Sequence, residues 1–204
     1  MPSLDITAPI FTQVPAALRR DLVCDLDHRL SALLAIIIIR NPQILADNRY
    51  LYNACLEGSA AMVRQLFEFL GTKVSLIKTG PTLKKATLNH PISTTLEYYH
   101  LSSADPTYFS GRTDPSSGLS EDQVILRIIS EINQRTMHPA PRNVTRGQEI
   151  NQLEQAAYII LREVRDRIYG QSNPIEINAH LVRDLPNQEW RGFHFVAPPG
   201  GYYS

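Results

Sequence analysis

Residues 47–70 read DNRYLYNACLEGSAAMVRQLFEFL, and Gly71 follows. Leu51, Cys55, Gly58, Met62, Leu66 and Phe69 recur at three- and four-residue intervals, one stripe of a helix. Tyr52, Leu56, Val63, Phe67 and Leu70 form a second, adjacent stripe. Only Asn53, Glu57, Arg64 and Glu68 make a polar strip. A helix apolar around most of its circumference is contacted on several sides. This segment is therefore expected to be the most buried helix of an all-helical core, with Gly71 as its C-terminal stop.

Three further helices are predicted around it. The first, over about 15–40, carries Leu22, Leu26, Leu30, Leu33 and Ile37 at helical spacing. Pro15 suits its first turn, and Asn41-Pro42 stops it because the residue before proline is driven out of the helical region. The third, over about 121–138, follows Ser120 and Gln123, a capping-box spacing, and has Ile125, Ile128, Ile129 and Ile132 as its core stripe. The fourth, over about 147–169, turns Ile150, Leu153, Ala157, Ile160, Leu161, Val164 and Ile168 to one side. Its other face is charged, with Glu154, Arg162, Glu163, Arg165 and Asp166, and Gly170 closes it.

The segment 72–119 carries Gly80-Pro81, His90-Pro91, Asp105-Pro106 and Asp114-Pro115, which are turn and loop signals. It is expected to be a long connection that wraps the bundle, caps a site or meets a partner, with Ile92 to Leu101 a short strand or helical turn. Residues 171–204 read as an irregular tail whose Trp190, Phe193 and Phe195 pack back on the helices. The predicted fold is thus mostly α, one domain over 1–204. It is an antiparallel four-helix bundle with a long connection between its second and third helices and an irregular aromatic C-terminal tail.

Composition narrows the function classes. The 204 residues are 43% hydrophobic and 20% charged, with zero formal net charge. That argues against a broad electrostatic footprint for nucleic acid and leaves room for a local basic cleft. Met1-Pro2-Ser3-Leu4-Asp5 lacks a basic region followed by an apolar run, and Leu33 to Ile39 is too short to span a bilayer. A cytoplasmic chain with no membrane partner is expected. Cys24 and Cys55 fall in apolar helical patterns and read as free core thiols. Asn143-Val144-Thr145 matches a glycosylation acceptor, which in a cytoplasmic chain is incidental. Phosphate-loop, dinucleotide, HExxH and serine-elbow patterns are missing, and no histidine pairs with another at metal-ligand spacing. No cofactor or metal is predicted.

Two places carry candidate chemistry. Glu57 and Arg64 lie two turns apart on the polar strip, where a carboxylate and a guanidinium can hold a phosphate or order a partner arginine. The plainer reading is that the strip faces water and Arg64 pairs with Glu68. His138 ends the third helix between Arg135 and Arg142, an arrangement suited to acid–base work beside an anion. The plainer reading there is a helix C-terminus stabilised by cations.

Glu57, Arg64-x-Leu66-x-Glu68-Phe69-Leu70, then Ile132-Asn133, His138 and Arg142 together resemble a group of bacterial helical proteins. That group is similar to HEPN domains, the nucleotide-binding and RNA-cleaving bundles of toxin and defence systems. The resemblance covers about a fifth of the chain. It implies a binding module for nucleotide, RNA or a partner protein, with Glu57, Arg135 and Arg142 as binding residues and a homodimer as an assembly. The alternative it implies is a metal-independent ribonuclease, with Arg64 or Arg142 holding the phosphate and His138 moving the proton. The chain departs from the group at Met62, where a histidine is frequent. It also lacks the HEPN spacing of an arginine four to six residues before a histidine; Arg135 stands too close to His138. A third reading, a structural or interaction subunit of a larger assembly, stays open beside these two.

Overall fold

The computed structural model describes residues 13–39, 49–77, 80–86, 95–115, 117–137, 146–169, 176–178, 188–190 and 193–196. The fold is mostly helical, with a small two-stranded hairpin. Its long helices are α1 (Ala16–Ile39), α2 (Arg49–Phe69), α4 (Glu121–Met137) and α5 (Arg146–Val164), close to the predicted spans. A π-helical turn, Arg165–Tyr169, prolongs α5. Helix α1 packs on α2 and α5, and α2 and α4 each pack on α5. Buried apolar side chains from Val14 to Ile168 form one cluster. Fully burying each Leu, Ile or Phe contributes about 1.5–3 kcal/mol.

The leucine periodicity of α1 puts Leu22, Leu26, Leu30 and Leu33 in the core as expected. The side chains of Cys24 and of Ile36 to Ile39 lie outside the described residues, as do Asn41-Pro42, Asn143 to Thr145 and Gly170. Ser59, fully buried on α2, donates its hydroxyl to the Ala32 carbonyl at 3.1 Å, so the polar group that joins the two helices is satisfied. Cys55 is a free thiol, half-buried against the core.

Burial along α2 is uneven. Val63, Leu66, Phe67 and Phe69 are buried, whereas Tyr50 and Leu51 stand exposed at the helix start. It is α5 that is enclosed all round over its last turns, where Ile159 to Val164 are buried without a break. The charged face expected there is in part enclosed: Glu154, Arg162 and Glu163 are all buried. Arginine and glutamate on successive turns can neutralise each other inside, so their presence alone does not mark a wet face.

Gly71 ends α2 as expected, with φ +101° and its amide on the Glu68 carbonyl. The predicted long connection then resolves into regular structure. β1 (Thr72–Ile77) and β2 (Gly80–Lys85) form an antiparallel hairpin. A 3₁₀ turn follows at Leu96–Tyr99, the helical alternative of the two expected there. The next element is α3 (Pro106–Ser110). Asp105-Pro106 is a helix start rather than a loop: the Asp105 carboxylate accepts from the Thr107 amide at 2.8 Å, and Pro106 sits where no amide is needed.

The tail is not irregular where it is described. β3 (Glu176–Asn178), β4 (Gln188–Trp190) and β5 (Phe193–Val196) make a sheet in the order β3-β5-β4. Aromatic and β-branched residues at alternating positions favour that pairing. How the tail's side chains pack falls outside the described residues.

Candidate nucleic-acid interface

The hairpin of β1 and β2 holds a charge pattern that the rest of the chain lacks. In the sequence all four lysines of the protein, Lys73, Lys78, Lys84 and Lys85, fall between Thr72 and Lys85, and no aspartate or glutamate lies between Glu68 and Glu97. Thr72, Val74 and Ile77 supply the β-branched residues a strand favours. Gly80, at φ +122°, supplies the turn conformation that other residues resist.

Register decides where the lysines point. Val74 pairs with Leu83, and both pack on the helical core. Side chains alternate along a strand, so Lys73, Ser75, Thr82 and Lys84 share the outward face. Lys73 and Lys84 are cross-strand partners, as are Ser75 and Thr82. Directly opposed side chains on one face lie roughly 5 Å apart at Cβ, and like charges so placed are destabilising. The outward face thus carries two neighbouring lysines and the Ser75 hydroxyl, groups of the kind that bond phosphate oxygens, while the Thr82 hydroxyl donates across the ladder to the Ser75 carbonyl at 3.4 Å.

The base of the hairpin is anchored. Thr72, fully buried, donates its hydroxyl to the Ala104 carbonyl at 3.1 Å. The Ala86 amide donates to the Gly71 carbonyl and the Ala104 amide to that of Leu70. Lys85 reaches Glu97 at 2.6 Å, and Glu97 accepts a second bond from the Ser103 hydroxyl. These bonds hold the Glu97 carboxyl below its ordinary value and raise the Lys85 ammonium above its own. Tyr98, the residue after Glu97, is a large apolar side chain left about half exposed.

A second charged cluster lies inside the fold. Arg162 donates to both oxygens of Glu121 and to Glu163. Arg167 takes the other Glu163 oxygen at 2.8 Å and donates to the Ser102 and Ser103 carbonyls. Arg112 and Arg167 both lie over the Tyr108 ring, 5.0 and 5.1 Å from its centroid, and Arg112 also donates to the Tyr108 hydroxyl. Burial opposes the charge on Arg162, but its bonds to Glu121 and Glu163 outweigh that, and its pKa rises above the ordinary arginine value. Each oxygen of these two carboxylates already accepts a bond, so the cluster fastens the end of α5 to the start of α4.

The residues singled out from sequence fare differently. Arg64 is half exposed and pairs with Glu68 at 3.2 Å, the plainer of its two readings. Glu57 is exposed on the same helix. Arg135 belongs to α4, but its side chain lies outside the described residues, and so do His138 and Arg142 entirely. Among the described residues no group of three His, Cys, Asp or Glu side chains is placed to hold a metal, and no helix is long and apolar enough to cross a membrane.

No protein-family model, curated protein or solved structure gives a significant match to this chain. A zero net charge over the whole chain conceals the lysine face. The confinement of every lysine to Lys73–Lys85 was the signal that locates it.

Proposed function

We propose that this chain is a HEPN-like binding module, a four-helix bundle that holds RNA by its phosphate backbone without cutting it. One observation carries the reading: Lys73 stands opposite Lys84 on the outward face of the only lysine-bearing segment. Neighbouring lysines neutralise phosphate without reading base edges, so binding is tolerant of sequence and sensitive to salt. Serving as a docking partner for another protein or for a second copy is the companion role that the resemblance implies.

The test is a titration of a fluorescent single-stranded RNA at several salt concentrations between about 50 and 200 mM. Affinity is expected to fall with salt, and the slope should shrink in a Lys73→Gln/Lys84→Gln variant, since each lost phosphate contact removes about 0.7 from it. Arg64→Ala and His138→Ala in the same assay test the cluster predicted from sequence. The alternative ribonuclease reading demands that the RNA be shortened even with a chelator present. Absence of RNA binding at low salt, or binding to anionic vesicles alone, overturns the proposal.

A further inference from the structure

We propose that the outer edge of β1 takes an extended acidic peptide as a third strand of the hairpin sheet. The surface is a backbone edge rather than the lysine-bearing face, so this goes beyond the RNA reading and does not depend on it. The Ala86 amide donates to the Gly71 carbonyl, and the register runs from Thr72 opposite Lys85 to Ile77 opposite Gly80. Hydrogen-bonded and non-hydrogen-bonded pairs alternate along an antiparallel ladder. The bonded pairs are therefore Lys73 with Lys84, Ser75 with Thr82 and Ile77 with Gly80. The backbone groups of the residues between them, Val74 and Leu76 on β1 and Pro81 and Leu83 on β2, point away from the ladder.

The two edges are not equivalent. Pro81 has no amide, so β2 presents a broken row of donors, and it ends in Lys84 and Lys85, side chains that discourage edge pairing. β1 contains no proline and keeps its outward amides at Val74 and Leu76. Among the described residues this sheet has two strands, and no backbone bond outside the hairpin uses Val74 or Leu76. Such a row of donors and acceptors is a template for a further strand.

Charge selects the occupant. Four lysines and no aspartate or glutamate lie between Glu68 and Glu97. A second copy would set another such hairpin against this one, and like charges oppose that pairing. An acidic strand is attracted instead. Its side chains alternate, every other one on the outward face with Ser75 and the exposed Lys84, the rest on the inward face beside Val74, which is only partly buried. The added strand lies two strand spacings from β2, about 10 Å, within the screening length at ~0.1 M salt. Lys84 therefore attracts an acidic residue there without touching it. The fitting sequence alternates acidic and branched apolar residues.

The experiment titrates the full chain with three fluorescent peptides: alternating glutamate and valine, alternating lysine and valine, and the glutamate–valine peptide with every amide N-methylated. The first is expected to bind about tenfold or more tightly than the other two, and more weakly as salt rises. Leu76→Pro removes one outward donor and no ladder bond. It should weaken the glutamate–valine peptide about tenfold and leave RNA binding unchanged. A thermal melt shows whether that variant keeps the hairpin, and if it does not, the N-methylated comparison on the wild type decides. Equal binding of the N-methylated peptide overturns strand addition, and equal binding of the lysine peptide overturns the acidic partner. Self-association of the free chain that Leu76→Pro abolishes gives the edge to a second copy and overturns the proposal. Failure of the glutamate–valine peptide to bind overturns it as well and leaves the RNA reading standing.

Discussion

Arg162 holds both carboxylate oxygens of Glu121, 41 residues earlier in the chain, at 2.5 and 2.7 Å. Both residues are buried, and the same guanidinium also serves Glu163. Arg162→Met should therefore cost about 3–5 kcal/mol, because it leaves buried carboxylates without their main counter-charge. Urea unfolding measures the loss. Adding Glu121→Leu should recover part of it, since a buried pair replaced by apolar residues is often neutral. A stable single variant would show that the network is not enclosed.

Lys84→Glu is expected to raise stability while it lowers RNA affinity. It turns a like-charged cross-strand pair with Lys73 into an opposite one, worth up to about 1 kcal/mol. A gain in unfolding midpoint together with weaker RNA binding is the pattern of a site kept against the preference of the fold. A drop in both quantities would point to a packing role for Lys84.

Tyr99 makes stability depend on alkaline pH. Burial first, then the charge and hydrogen bond of Asp25, push its phenol well above the ordinary value of about 10. The unfolded chain therefore loses this proton at a lower pH than the folded one. The contribution is complete below about pH 10 and is lost as pH rises from there toward the folded value. Unfolding measured from pH 8 to 11 should show that decline, and Tyr99→Phe should flatten it. An unchanged slope in the variant would assign the decline to other groups.

Gly71→Ala should destabilise strongly. The residue sits at φ +101°, and an added Cβ would lie 2.3 Å from the Ser103 Cβ. The backbone conformation alone costs about 1–2 kcal/mol, and the overlap adds about 1–3 kcal/mol. Thermal or urea denaturation reads the sum. Ser103→Gly in the same chain should relieve only the overlap.

Arg64→Ala is expected to change stability by less than about 0.5 kcal/mol, the scale of an exposed i,i+4 pair. A larger loss would mean that this strip of α2 is covered. If Arg64 serves the site predicted with His138 and Arg142, RNA affinity should fall although stability does not.

Apolar periodicity by itself determined the four long helices, because a repeat near 3.6 residues survives whatever the helix packs against. Gly71 marked the end of α2 for an equally local reason: a helix stop needs a conformation that glycine adopts freely. Glu57, Arg64 and Glu68 were legible as a polar strip on the same grounds. Tertiary structure alone decided the rest. Thr72 to Lys85 mixes threonine, lysine and branched residues without a clean alternation, so only cross-strand pairing shows that Val74 and Leu83 face inward and Lys73 and Lys84 outward. Arg162 and Glu163 read only as part of a charged face; that they are buried is decided by α4, which brings Glu121 against them, since charge is solvated or buried according to its neighbours in space.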